Sequence, residues 1–328
     1  MSKSVLHQIL DRAGFSPVTK GNYEHVIDRW IEFAGADPIG WTRDKAQEFY
    51  DQMIDGGLAV QSANVYIASL RYVSRWYATK SGGIDFAIVQ RQRGKKGNTR
   101  AALGEEPTIS ADELRAMLET CRGGSTLDLR DFALMVTAIE TGMRRMSLRG
   151  MLLELTRVTK ESPASVVPIK GPGGEETFAV PLSDTAWIAL TPWLAWLRGQ
   201  KVKLGPVFRR LSARVVRDQR MFELGDDALS STGINELIEA RAAAAGIRHI
   251  NPHKFRHTFI TWRTAAGLNP LQISAITGHK VSIVAVEGVS MRIGDMRTYF
   301  HADINRIRNT TPAWLVELAK EITSSWPA

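Results

Sequence analysis

Tyr299 is the only tyrosine after Tyr77, and it follows a stretch in which imidazoles and guanidiniums are concentrated. Five of the seven histidines, His249, His253, His257, His279 and His301, fall between positions 249 and 301. The spaced pair His253-x-x-Arg256 lies there too, as does Gly278-His279. A lone hydroxyl in such company suggests a nucleophile surrounded by groups that bind and protonate a phosphate. Phosphoryl transfer requires in-line attack and donors aimed at the nonbridging oxygens, where charge accumulates. Arginine suits this because its fork binds two phosphate oxygens and stays charged. Two arginines and an imidazole can do that work without a metal. A phenol with a pKa of roughly 10 needs a base to take its proton. The departing sugar oxygen needs an acid, which a lysine or a histidine can supply.

Competing chemistries find no support. There is no G-x-x-x-x-G-K-[ST] loop and no G-x-G-x-x-G after a strand, so no nucleotide cofactor is expected. No H-E-x-x-H or paired acidic cluster occurs in the histidine-rich region, which sets a metal hydrolase aside. The single cysteine, Cys121, excludes an intramolecular disulfide and a cysteine-rich zinc site, and fits a reducing, cytoplasmic setting.

The elements that must position these residues follow from periodicity and capping. The first hundred residues read as a small helical bundle. Ser16-Pro17 opens a helix through Tyr23, Val26, Trp30 and Ala34, and Thr42 caps another that stops at Gly56-Gly57. A third helix covers roughly 59–79, with Val65, Leu70, Val73 and Trp76 expected inward and Arg71 and Arg75 outward. Ser110 with Glu113 forms a capping-box pattern. Asp128 to Met143 reads as a strongly apolar helix closed by Gly142. Residues 165–170 and 177–182 around Gly171-Pro172-Gly173-Gly174 predict a β-hairpin with Lys170 at its shoulder. From Thr185 onward the pattern is mainly helical, and Asn251-Pro252 starts the helix that carries His253 and Arg256.

At 328 residues the chain favours two domains, and 44% hydrophobic with 23% charged residues is the balance of a soluble globular protein. No apolar run approaches the ~20 residues of a membrane span, and Met1-Ser2-Lys3-Ser4 is no signal peptide. Net charge is +8 with a pI near 9.7, which suits a polyanionic partner. The charge is clustered. Arg91, Arg93, Lys95, Lys96 and Arg100 share residues 86–104 with no acid, and five arginines share residues 208–220 with Asp218 alone. The first cluster, rich in glycine and without periodicity, reads as an interdomain linker, either a solvated tether or a segment that would lie along a phosphate backbone.

Gly142-Met143-Arg144, the hairpin Lys170, His253-x-x-Arg256, Gly278-His279 and Tyr299 occur in the order found in tyrosine recombinases of the phage integrase family, which the sequence resembles over nearly its whole length. Ser16-Pro17-x-Thr19-x-x-x-Tyr23 is similar to that family's core-binding domain. The resemblance implies a mainly α fold with a small antiparallel β-sheet. A helical, SAM-like core-binding domain would span 1–95, a basic DNA-contacting linker 96–105, and a tyrosine-recombinase catalytic domain 106–328. The two domains would close around double-stranded DNA. Pro312 to Ile322 would form a C-terminal helix, either packed on its own domain or, as in the family, exchanged between protomers to give a homotetramer on two DNA sites from monomers or dimers off DNA. No metal, cofactor or membrane enters.

By the same resemblance, Tyr299 would attack the scissile phosphodiester to give a 3′-phosphotyrosine and a 5′-hydroxyl. Arg144 and Arg256 would clamp the nonbridging oxygens and His279 would add a hydrogen bond. Lys170 would protonate the leaving oxygen, and His253 would assist proton transfer at the tyrosine. Arg145 stands as a neighbouring alternative to Arg144, which the family's register favours, and Lys160 competes with Lys170. The chain departs from the pattern twice. Ser147 stands where relatives usually carry an acid, and the 20 residues from His279 to Tyr299 are about twice the usual spacing. Residues 281–294 therefore form a loop or an extra strand. The expected function is site-specific DNA integration, excision or resolution. The alternatives are a relaxing topoisomerase, which shares the chemistry, and a catalytically weak or inactive DNA-binding protein of the same fold.

Overall fold

A computed structural model describes residues 4–15, 17–91, 108–158, 163–168, 177–216, 219–268, 270–277, 282–284, 290–292 and 310–326. The chain divides into two compact units, Met1–Leu103 and Gly104–Ala328. The whole is mostly helical with small antiparallel sheets, as the sequence leads one to expect.

The first unit holds α1 (Val5–Asp11), α2 (Pro17–Ala34), α3 (Arg43–Asp55) and α4 (Val60–Ser81). The Thr42 side chain caps α3 by accepting from the Lys45 N–H, and α4 ends at Gly82 with φ 67°. Trp30, Trp41, Phe49, Tyr50, Ile67 and Leu70 are buried together. The chain then folds back over the bundle. Phe86 stacks on Trp30 with centroids 5.1 Å apart, and Ser74 accepts from the Ala87 N–H while donating to Asp85. Gln47 accepts from the Gln90 N–H, so the first unit fastens its chain almost to Arg91.

Val65 corrects the expected inward face of α4, for it is 61% exposed. The inward stripe is Ala63, Ile67, Leu70 and Ser74, at steps of four, three and four. Val65 lies two residues from Ala63 and from Ile67, so a helix of 3.6 residues per turn sends it to the opposite side.

The second unit opens with α5 (Ala111–Glu119), whose Ser110–Glu113 capping box is formed. Next comes α6 (Thr126–Thr141), buried at every position from Arg130 to Thr141 and closed by Gly142. Helix α7 (Arg145–Arg149) leads to the sheet β1 (Thr156–Val158), β2 (Pro163–Pro168) and β3 (Thr177–Pro181). The β2–β3 hairpin pairs Ala164 with Pro181 through Pro168 with Thr177. Helix α8 (Asp184–Gly199) packs along α6, and its Trp193 indole donates to the Val207 carbonyl at 2.8 Å.

A long hairpin, β4 (Arg209–Val216) with β5 (Gln219–Ala228), follows where the sequence reads as helical. Arg209, Arg210, Arg214 and Arg220 of the second arginine cluster lie on it. Beyond come α9 (Ser231–Ala244), α10 (Pro252–Ala265) and α11 (Pro270–Thr277). Strands β6 (Ser282–Val284) and β7 (Ser290–Arg292) pair antiparallel inside the stretch expected as a loop or extra strand.

The last element is α12 (Ala313–Ser324). Within this single chain it docks on its own unit, with Leu315, Leu318, Ala319 and Ile322 buried against α8 and α5. Burying each of the larger aliphatic side chains is worth roughly 1.5–3 kcal/mol. The Trp326 indole donates to the Cys121 carbonyl at 3.1 Å, and Arg122 bridges to Glu321 at 2.8 Å. Two acids of α6, Asp128 and Asp131, hold Arg241 of α9 at 2.8 Å each. Among the described residues no helix is long and apolar enough to cross a membrane.

Candidate active site

The site is built where the end of α6 meets the start of α10. Asn251 caps α10 by accepting from the N–H groups of His253 and Lys254 at 3.0 and 3.2 Å, and Pro252 occupies the first turn. That start fixes the helical phase. Arg256, Phe259 and Arg263, at i, i+3 and i+7, then turn one face toward α6.

Gly142 supplies the facing surface. Its left-handed backbone (φ 58°) ends α6, and its carbonyl accepts from Arg256 Nη1 at 2.6 Å. The same nitrogen donates to the carbonyl of Thr277, the last residue of α11, at 3.1 Å. Arg256 is only 2% exposed. Phe259 packs so closely on Gly142 that an added Cβ would fall 2.4 Å from its Cδ1. Gly142→Ala is therefore expected to destabilise the second unit, through about 1–2 kcal/mol of backbone strain and about 1–3 kcal/mol of overpacking. Urea unfolding measures this, and an unchanged midpoint counts against the contact.

Arg144 follows two residues later at the head of α7, in an extended conformation. Its neighbour Arg145 turns the other way and donates to Asn235 of α9 at 2.8 Å. Of the adjacent pair, Arg144 is thus the arginine whose charge bears on Arg256 and His253. Burial first, and then Arg144, press the Arg256 guanidinium down from its ordinary 12.5 to about 10. It still carries its charge at neutral pH.

His253 is pulled below its ordinary 6.5 by partial burial, then by His257, Arg256 and Arg144. The two imidazoles meet edge to face with centroids 4.5 Å apart. Burial, and then like charges, disfavour the imidazolium, so the neutral form of His253 is favoured at pH 7. Unfolding releases that constraint, so the unfolded chain binds more protons there and this contribution to stability falls as pH drops through the window below 6.5. His257→Gln is expected to raise the His253 midpoint in an NMR titration of the ring protons. A midpoint that stays put would remove His257 as a cause.

Among the expected site residues, the structure brings together Arg144, His253 and Arg256. Lys170, His279 and Tyr299 lie outside the described residues, as do Arg93, Lys95 and Lys96. Arg91 is described, and with Ala68, Arg71, Tyr72 and Arg75 it lines a concavity on the first unit. The Arg71 Nε there is buried with no hydrogen-bond partner among the described residues. No group of His, Cys, Asp and Glu side chains suited to a metal occurs among the described residues. Sequence reading missed a buried pair beside the site, Glu140 of α6 and Arg263 of α10, which meet at 3.0 Å. The available signal was a lone acid at the end of the apolar run from Phe132 to Ile139.

Comparison with known proteins follows the same outline. The profile of the phage integrase family matches residues 107–286. The tyrosine recombinase XerC of Psychromonas ingrahamii is 22% identical over 286 residues, covering 84% of this chain and 86% of that protein. Among solved structures, the XerH site-specific recombinase bound to difH substrate superposes with a TM-score of 0.59 at 15% identity, over 100% of this chain and 85% of that one. A lambda integrase tetramer bound to a Holliday junction gives 0.57 at 18% identity, over 92% and 76%. At such identities the structural likeness carries the fold.

Proposed function

Because the chain belongs to the phage integrase family, the tyrosine recombinases, we propose that it cleaves and rejoins DNA at specific sites through a 3′-phosphotyrosine at Tyr299. The observation that carries this reading is the convergence of Arg144, Arg256 and His253, where positive charge accumulates around a buried, carbonyl-held guanidinium. A phosphodiester relieves that repulsion, and the pentacoordinate transition state relieves it further, which is the differential binding that accelerates a reaction.

In the proposed reaction the Tyr299 oxygen attacks phosphorus as His253 accepts the phenol proton. Neutrality at pH 7 suits that histidine to the task. The P–O5′ bond breaks, and Lys170 delivers a proton to the departing oxygen. Arg144 and Arg256 hold the nonbridging oxygens, and His279 adds a donor. Nη1 of Arg256 is engaged by the Gly142 and Thr277 carbonyls, so its other edge would face the phosphate. The phosphotyrosine conserves the bond energy. Attack by a 5′-hydroxyl reverses the steps and reseals the strand without ATP or metal.

Double-stranded DNA is the partner in this reading. The XerH neighbour is bound to its substrate, and the concavity at Arg71, Arg75 and Arg91 offers three guanidiniums to a phosphate backbone. The basic linker with Arg93, Lys95 and Lys96 would continue that track. The lambda integrase tetramer supports a four-copy synapse. In it α12 would trade the contacts it makes on its own unit for the same contacts on a neighbour's.

The test is a set of nicked suicide duplexes tiling the DNA that flanks the chain's own gene. The expected result is a covalent adduct that survives denaturation, with DNA mapped to the tryptic peptide 298–306. Tight binding with no adduct favours the alternative of an inactive binding protein, for which Ser147 in the place of an acid is the supporting observation.

A further inference from the structure

The buried pair Glu140–Arg263 does more than neutralise itself. Arg263 Nη2 donates to Glu140 Oε2 at 3.0 Å, and the two side chains are 2% and 0% exposed. Arg263 Nη1 also donates to the Thr310 hydroxyl at 2.9 Å. The Thr311 hydroxyl donates to the same Glu140 oxygen at 2.5 Å. One ion pair therefore fastens two consecutive threonines just ahead of α12.

The location gives this clamp its meaning. Glu140 lies two residues before Gly142, whose carbonyl holds Arg256, and Arg263 lies two turns beyond Arg256 on the same face of α10. Phe259 joins the two levels. It packs on Gly142, and the Arg263 guanidinium lies 5.2 Å from its ring centroid. Thr277, whose carbonyl accepts from Arg256, is the residue before the stretch 278–309, and Thr310 is the residue after it. Tyr299 is in that stretch. Its entry and its exit are thus tied to the same two helices, by Arg256 at one end and by Arg263 with Glu140 at the other.

Stability alone is a poor reason for such a pair. Desolvating two charges costs several kcal/mol, and apolar residues of similar volume usually serve a core as well or better. What an ion pair with two added hydroxyl contacts supplies is a fixed geometry. We propose that Glu140 and Arg263, acting through the hydroxyls of Thr310 and Thr311, are positioning residues that set Tyr299 against the arginine-bound phosphate. This rests on the reading of Tyr299 as the nucleophile. It also separates two tasks, because the clamp lies between the tyrosine and α12. The two threonines keep their anchor in the chain's own unit whichever protomer α12 docks upon.

The experiment compares a Thr310→Val/Thr311→Val double variant with Thr310→Ser/Thr311→Ser, both keeping the ion pair. Single-turnover adduct formation is measured on the nicked duplex at saturating concentration, beside DNA affinity and thermal midpoint. The expected result is a fall of about 10- to 100-fold in the cleavage rate of the valine variant, with affinity and midpoint close to the parent's, and recovery to within about twofold in the serine variant. A valine variant that cleaves at the parent rate overturns the proposal. So does a loss that only tracks the folded fraction or the DNA affinity, or a serine variant no better than valine. If the parent protein itself forms no adduct on any duplex, the nucleophile reading fails first and takes the clamp's role with it.

Discussion

Tyr299→Phe is expected to abolish covalent adduct formation and strand exchange while leaving DNA affinity within about twofold of the parent, since the change removes one atom that makes no ground-state contribution comparable to its role as nucleophile. In the proposed reaction that atom is the one that would bond to phosphorus. The remaining five tyrosines all precede residue 78 and lie on α2, α3 and α4 of the first unit. Each of those also has an evident local job. Tyr50 is fully buried and donates to Asn64 at 3.0 Å, and the Tyr66 hydroxyl meets His25 at 3.1 Å. Tyr23 and Tyr72 pack with Phe15 in a three-ring cluster, and Tyr77 meets Trp41 edge to face. The comparison is made on the nicked duplex with a denaturing gel. Persistence of the adduct in the phenylalanine variant would mean that another side chain attacks, and the assignment of Tyr299 would fall.

Arg256→Ala comes next in expected size, with cleavage reduced on the order of 10³-fold or more, as for removal of one donor to an oxyanion or of an arginine that stabilises a transferring phosphoryl group. DNA affinity should fall far less, because in the proposed complex many other cations would contact the backbone of the duplex. Arg256→Lys separates charge from geometry. The parent Nη1 bridges the carbonyls of Gly142 and Thr277 at 2.6 and 3.1 Å, which a single ammonium cannot do while also gripping a phosphate by two oxygens. Lysine is therefore expected to recover only a minor part of the rate. Alanine also leaves two buried carbonyls without that donor, a loss of about 1–3 kcal/mol for each unsatisfied group. The thermal midpoint must accordingly be read beside the rate. Cleavage by a folded Arg256→Ala protein within tenfold of the parent would remove Arg256 from the phosphate clamp.

Local chemistry made much of the fold readable. Ser110 with Glu113, Thr42, Asn251-Pro252 and Gly142 each mark a helix end by a hydrogen bond or a backbone angle that needs only neighbours in sequence. The β2–β3 hairpin announced itself by β-branched residues around a glycine-rich turn. The β4–β5 hairpin did not, because Arg209, Arg210, Arg214, Arg217 and Arg220 obscure any alternation of apolar and polar residues. Val65 misled for a related reason. Its apolar side chain suits a core, but the phase of α4 is set by Ala63, Ile67 and Leu70. At the site, His253 and Arg256 were legible because they share a helix turn. Glu140 and Arg263 were not, since 123 residues separate partners whose meaning lies entirely in their contact. The choice between Arg144 and Arg145 likewise needed Asn235, 90 residues from Arg145.

The lone cysteine has a practical use that follows from where α12 ends. Cys121 is fully buried, its carbonyl accepts from the Trp326 indole, and burial pushes its thiol up to about 12. With α12 docked, a thiol reagent finds neither access nor thiolate. If undocking of that helix exposes the sulfur, the labelling rate of an otherwise cysteine-free protein becomes a clock for how often the C-terminal helix lets go, readable with and without DNA and requiring no engineered probe.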